Sequence, residues 1–165
     1  MALLDEQIVE EWLNSNGYFT IRGLKHGVGE IDLLAIKTQS EVPQYLHVEV
    51  QISFNPIGYI GGDSNARIRT EYEIGEGVYA YYKKKFVSER KIQKRNEVLP
   101  NVDWQFQFVH AVVKEPKELE YLKELGVKVI SYKDVLNDLL NNNIHSSSSV
   151  ASDILKIVGY MNKTD

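Results

Sequence analysis

Glu30–Lys37 reads EIDLLAIK and Tyr45–Ser53 reads YLHVEVQIS. Both are aliphatic and β-branched enough to predict strands, and both hold acids in their middles. The stretch between them, Thr38 to Gln44 with Pro43, is short and polar, so the two strands are expected to form an antiparallel hairpin. Successive side chains on a strand point to opposite faces. Strict alternation therefore puts Glu30, Asp32 and Leu34 on one face of the first strand, with Ile31 and Leu33 on the other. In its partner, His47, Glu49 and Gln51 share one face, and Leu46, Val48 and Val50 the opposite one.

Working outward, Asp5 to Ser15 predicts a helix, with Ile8, Val9, Trp12 and Leu13 at helical spacing and Asn16-Gly17 as the stop. Tyr18 to Leu24 predicts a strand that turns at Lys25-His26-Gly27. Beyond the hairpin, Asn55 to Gly77 is glycine-rich and reads as a long loop, of the kind that is usually functional or mobile. A long helix is expected over Val78 to Val98, ended by Pro100. Then follow a strand (Trp104–Val113), a helix (Lys117–Leu125), a strand (Val127–Tyr132) and a helix (Lys133–Asn141). Residues 1–141 form one α/β domain in this reading, with helices around a mixed sheet. The polar run at 142–149, NNIHSSSS, is a linker. It leads to a C-terminal segment, 150–165, with a short amphipathic helix over Val150 to Met161.

A carboxylate in the middle of an apolar strand is costly to bury, and unpaired it neutralises rather than stays charged. One remedy is a divalent cation. Mg²⁺ prefers carboxylate oxygens, keeps several waters, and can generate hydroxide near neutral pH. The plainer alternative is that these acids sit at exposed strand ends and pair with surface lysines. Two acids on adjacent strands, each flanked by hydrophobic residues, put the metal site on an equal footing with that alternative.

The 165 residues suffice for one domain with a real core. There is no cysteine, which excludes disulfides, thiolate zinc sites and cysteine nucleophiles. The start, MALLDEQIVEEWL, is acidic and amphipathic, hence a poor signal peptide, and no apolar run reaches the length of a membrane span. A soluble, cytoplasmic protein is expected. The net charge of -4 argues against a generally basic nucleic-acid coat but leaves room for a local basic face.

Taken together, an acidic helix followed by Gly17-Tyr18, then GEIDLLA at Gly29–Ala35, then HVEVQ at His47–Gln51 resembles the PD-(D/E)XK nuclease superfamily. The likeness is to its restriction-endonuclease-like and Holliday-junction-resolvase-like members. It covers the first third of the chain by motif. It implies a restriction-endonuclease-like αβββαβ core and a Mg²⁺-dependent (or Mn²⁺-dependent) endonuclease acting on DNA, of restriction, homing or junction-resolving type. Carried over position by position, Asp32 and Glu49 match the metal ligands, with the Val50 backbone carbonyl as a further one. Glu6 matches the helical acid, and Glu10, one turn later, competes for that role. Gln51 departs from the pattern: it stands where the family most often has lysine. Glutamine can orient a water but brings no charge. A DNA-binding module of the same fold that has lost catalysis is therefore the second reading, and a plain α/β interaction domain the third. Cutting two strands needs two sites, so the resemblance also implies a symmetric homodimer.

A basic run, KKKFVSERKIQKR, falls in the expected long helix. Lys83, Arg90 and Lys94 form one stripe, with Lys84, Lys91 and Arg95 beside it. Val78, Tyr82 and Phe86 would face the sheet. Such a stripe is either a solvated helix face or a track for a phosphate backbone. Arg67 and Arg69 in the long loop could reach phosphates or base edges. His47 is the histidine on the expected site face, and as a lone strand histidine it reads first as structural.

Overall fold

The computed structural model describes residues 4–39, 41–54, 60, 68–141 and 150–161. The chain starts with helix α1 (Leu4–Ser15) and strands β1 (Phe19–His26), β2 (Gly29–Lys37) and β3 (Gln44–Gln51). Helix α2 (Glu71–Tyr82) runs into a π-helical turn, Lys83–Val87, before α3 (Glu89–Val98). Strand β4 (Gln105–His110), helix α4 (Lys117–Glu124), strand β5 (Lys128–Ser131), and helices α5 (Tyr132–Asn141) and α6 (Val150–Met161) complete it. The five strands form one sheet in chain order. The pairs β1/β2 and β2/β3 are antiparallel, whereas β3/β4 and β4/β5 are parallel. The expected α/β class, with a mixed sheet flanked by helices, is what the chain forms.

The parallel half follows from the helical crossovers that separate those strands. One face of the sheet packs on α1, α5 and α6, around Val9, Leu13, Leu33, Ala35, Val48, Val135 and Leu155. The other packs on α2 and α4, around Val78, Phe86, Phe108 and Leu122. A third cluster, Ile31, Leu34 and Trp104, closes the sheet beside the end of α3, where Val98 and Leu99 join it. The Trp12 indole N–H donates to Asp138 at 2.7 Å and ties α1 to α5. Helix α6 is anchored on its own chain, with Ala151, Ser152 and Leu155 buried. Among the described residues no helix is long and apolar enough to cross a membrane.

Two expectations change. The helix after the long loop begins at Glu71, seven residues before the expected Val78. Its start is a capping box: the Thr70 hydroxyl accepts from the Glu73 N–H, while the Glu73 carboxylate accepts from the Thr70 N–H. Gly75 and Gly77 disguised that start, because glycine is a poor helix former. Nor does the helix continue to Val98 unbroken. It widens into the π turn and breaks at Ser88, whose ψ of 146° is extended. The linker at 142–149 lies outside the described residues.

Candidate functional site

The site is a fork in the sheet. Strands β2 and β3 pair from Lys37/Gln44 to Leu33/Val48, and the ladder stops there. Asp32 and Glu49 would be the next pair. Strand β3 meanwhile stays paired with β4 through Gln51. The side of Val50 that faces β2 is thus left without a strand partner, and its N–H donates instead to Asp32 Oδ2 at 2.8 Å. On a strand the N–H and C=O of one residue face the same neighbour, so the Val50 carbonyl also faces the fork.

Asp32 is also skipped on its other side. The β1/β2 ladder passes from Arg22/Leu33 to Leu24/Ile31 with no pair at Gly23/Asp32. Gly23 has φ +67°, a left-handed conformation that only residues such as glycine adopt cheaply. The local twist resets the faces. Ile31 packs with Leu34 and Leu24, and not with Leu33, as strict alternation required.

Three side chains converge on Glu49, which has no exposed surface. Its Oε1 accepts from His47 Nε2 at 2.8 Å and from the Lys91 ammonium. Its Oε2 accepts from Lys85 Nζ at 2.7 Å. Behind His47, Arg95 Nη1 donates to His47 Nδ1 at 2.7 Å and to the Phe86 carbonyl at 2.6 Å. An arginine only donates, so His47 carries its hydrogen on Nε2, and burial depresses its pKa to about 4. Burial alone would raise the Glu49 pKa, but the His47 hydrogen bond and the two lysines outweigh it and bring it to about 2. Asp32 goes the other way: burial, then the Glu49 charge, lift it to about 7, against Lys85 and the Val50 N–H. Two neighbouring carboxylates with pKa values pushed apart are a common mark of acid/base sites.

Glu6 stands at the edge of this field. Its pKa is raised, first by burial and then by the charges of Asp5 and Glu30, while Arg22 and Lys85 oppose. Its Oε2 is buried with no hydrogen-bond partner among the described residues. The rival Glu10 is committed elsewhere, to Arg22 and to the Thr20 hydroxyl at 3.1 Å. Gln51 is exposed at the mouth, and its Oε1 accepts from the Tyr81 hydroxyl at 3.0 Å. Tyr81, on α2, thus touches an expected site residue.

The sequence reading missed Lys85. Its ammonium is charged: burial opposes the charge, but Glu49 and Asp32 more than compensate. The available signal was its position seven residues after the buried Val78 and four after Tyr81, on the stripe that faces the sheet. A π turn carries it, a feature frequent at functional sites.

The expected phosphate contacts need sorting. Lys91 is not one: it is 3% exposed and clamps Glu49. Arg69 is not one either, because Glu118 Oε1 accepts from its Nη2 at 2.7 Å inside the protein. Glu118 Oε2 also holds the Ile60 N–H, at 3.1 Å. Lys94 pairs with Glu97 at 2.9 Å, and Lys83 lies 5.3 Å over the Tyr79 ring. Lys84 and Arg90 are exposed. Arg67 lies outside the described residues.

Among the described residues no three histidine or acidic side chains form a ready-made metal cage. The donors at the fork still suit a hard cation that binds one or two carboxylates and keeps waters. Asp32, Glu49 and the Val50 carbonyl are all oxygen donors, Glu6 brings an unpartnered buried oxygen, and an ammonium already sits among them. Such an ion would have to displace the Lys85 ammonium from Glu49 Oε2.

No family model matches the chain, and no curated protein matches it. Among solved structures it is similar to one described as "Crystal Structure of Protein of Unknown Function AF1548". The identity is 14%, the TM-score 0.48, and the match covers 95% of this chain and 79% of that one.

Proposed function

We propose that this protein is a metal-dependent endonuclease that hydrolyses DNA phosphodiester bonds, with its site in the fork between β2 and β3. The observation that carries the reading is the meeting of Asp32, Glu49 and Lys85 where the ladder is open. A fold that only needed a stable sheet would continue the pairing, not leave a carboxylate to satisfy the Val50 N–H.

Asp32, Glu49 and the Val50 carbonyl would hold Mg²⁺ or Mn²⁺. When bound, the ion polarises a phosphoryl oxygen and acidifies a water. The chain's own groups do the rest. Lys85 supplies the positive charge that Gln51 lacks, facing the oxyanion that develops at phosphorus. Gln51, steadied by Tyr81, accepts a hydrogen bond from the attacking water or donates one to it and so orients it. Glu6 completes the acidic wall. Cleavage of both strands calls for two such sites, so a symmetric homodimer belongs to this reading.

One observation favours a second reading. Glu49 is fully enclosed by His47, Lys85 and Lys91, which is how a structural ion-pair network looks. In that case the domain binds DNA, or another partner, without cutting. Supercoiled, linear and branched DNA with Mg²⁺ or Mn²⁺, compared between wild type and Asp32→Asn, decides it. Cleavage by wild type and its loss in the variant are expected. Equal cleavage by both would refute this site, and salt-sensitive binding with no cleavage would favour the structural network.

A further inference from the structure

Beside the fork lies a second concavity. Lys25, His26, Arg90, Gln93, Lys94 and Glu97 line a cleft of about 330 Å³ between the tip of the β1/β2 hairpin and α3. The volume is at the low end for small-molecule pockets, and these walls carry no apolar side chain to receive a base or a hydrophobic ligand. What they carry is positive charge. Glu97 is spoken for by Lys94 and Gln93, whereas Lys25 and Arg90 have no ion-pair partner among the described residues. Both ring nitrogens of His26 are buried and lack a hydrogen-bond partner there as well. Unpartnered buried polar groups cost about 1–3 kcal/mol each and often mark a missing ligand or water.

The cleft and the fork draw on nearby residues of the same elements, α3 and the β1/β2 hairpin. Arg90 precedes Lys91, the residue that clamps Glu49. Gly29, over which the His26 ring folds, is three residues from Asp32 on β2. Three strand residues span about 10 Å, which is about three nucleotides of rise along one strand of a duplex.

We infer that this cleft is a phosphate-binding subsite, in which Lys25 and Arg90 grip the backbone of a nucleic-acid substrate a few nucleotides from the bond held in the fork. The ligand's identity rests on the nuclease reading, while the anion site rests on the cleft itself.

The test is a Lys25→Ala/Arg90→Ala double variant, with binding of a fluorescein-labelled DNA duplex followed by anisotropy in EDTA at several NaCl concentrations. Both residues are exposed, and an unchanged Tm verifies the fold. The expected result is affinity weaker by about tenfold and a log–log salt slope shallower by about one to two. A Lys128→Ala/Lys133→Ala control, which removes equal charge elsewhere on the surface, is expected to keep the wild-type slope. Inorganic phosphate is expected to shift the His26 ring resonances in wild type and not in the double variant. An unchanged slope in the double variant, an equal loss in the control, or a wild type that binds no DNA would each overturn the subsite. Wild type that binds through Lys25 and Arg90 yet cleaves nothing with Mg²⁺ or Mn²⁺ would uphold the subsite and sink the nuclease reading alone.

Discussion

The Lys85 ammonium lies 2.7 Å from Glu49 Oε2, bridging 36 residues of chain from a helical turn to a strand. It brings a positive charge to the strand where position 51 holds an uncharged glutamine. If that charge serves the reaction, Lys85→Met lowers the cleavage rate by about 10²-fold or more. Adding Gln51→Lys to that variant restores much of it, since the charge returns from β3, the strand that carries Glu49. Single-turnover kinetics on one duplex measure both, and no loss in Lys85→Met would remove Lys85 from the mechanism.

Asp32 gives opposite signs for stability and activity. Its folded pKa of about 7 lies above the ordinary 3.8, so the native state holds a proton that the unfolded chain has released. In the metal-free protein this contribution declines as pH rises from about 4 to about 7. Asp32→Asn keeps an acceptor for the Val50 N–H and removes the penalty. Above pH 7 it is expected to stabilise the metal-free protein by on the order of 1–3 kcal/mol, read as a higher Tm, while abolishing cleavage. A lower Tm would contradict the placement of this carboxylate.

The Glu49 network should fail in acid, in two stages. His47 titrates at about 4 when folded, against 6.5 ordinarily, and Glu49 at about 2, against 4.5. Both pKa values are depressed, so each contribution is whole above the ordinary value and fades as pH falls through the window below it. His47→Gln is expected to flatten the slope between about pH 6.5 and 4 while leaving the lower stage intact. Urea melts across that range measure it. Because Asp32 slopes the opposite way over nearly the same window, the measurement is cleanest in an Asp32→Asn background.

Glu49→Gln should cost far more than a surface change. It leaves Lys91, 4% exposed at its side chain, as a buried charge without its carboxylate, worth about 3–5 kcal/mol. Lys91→Met in the same chain is expected to recover a large part, because the orphaned charge goes with it. A double variant no more stable than Glu49→Gln would refute the coupling.

Gly23 is the other fragile point. A Cβ there would meet Glu30 Oε1 at 3.0 Å, on a backbone at φ +67°. Gly23→Ala is expected to lose about 1–2 kcal/mol. Gly23→Asn, whose side chain tolerates the left-handed region better, should lose less. Thermal melts of the two variants give the order.

Period-two patterning was enough to find β2, β3, their antiparallel hairpin and the acids Asp32 and Glu49, because strand faces follow from local sequence. The same rule failed at Ile31. An interruption of the ladder opposite Gly23 resets the faces, and a glycine inside a strand pattern was the available hint. Lys85 and Lys91 were legible only as members of a basic run. Their capture by Glu49 depends on a π turn and on the break at Ser88, which set how the helices meet the sheet. Arg69 was read as a loop arginine with a free head, since its buried partner Glu118 lies 49 residues away. Local patterns report which face a residue prefers, and long-range partners decide what it does there.

The open ladder has one more consequence. The Val50 amide is tied to a titrating carboxylate, where a rung of sheet would have tied it to a fixed carbonyl. Its proton resonance must move as Asp32 gains or loses charge, and again when anything displaces that carboxylate. With ¹⁵N labelling alone, one backbone signal becomes an indicator of the state of the fork, native to the chain and present before any substrate is known.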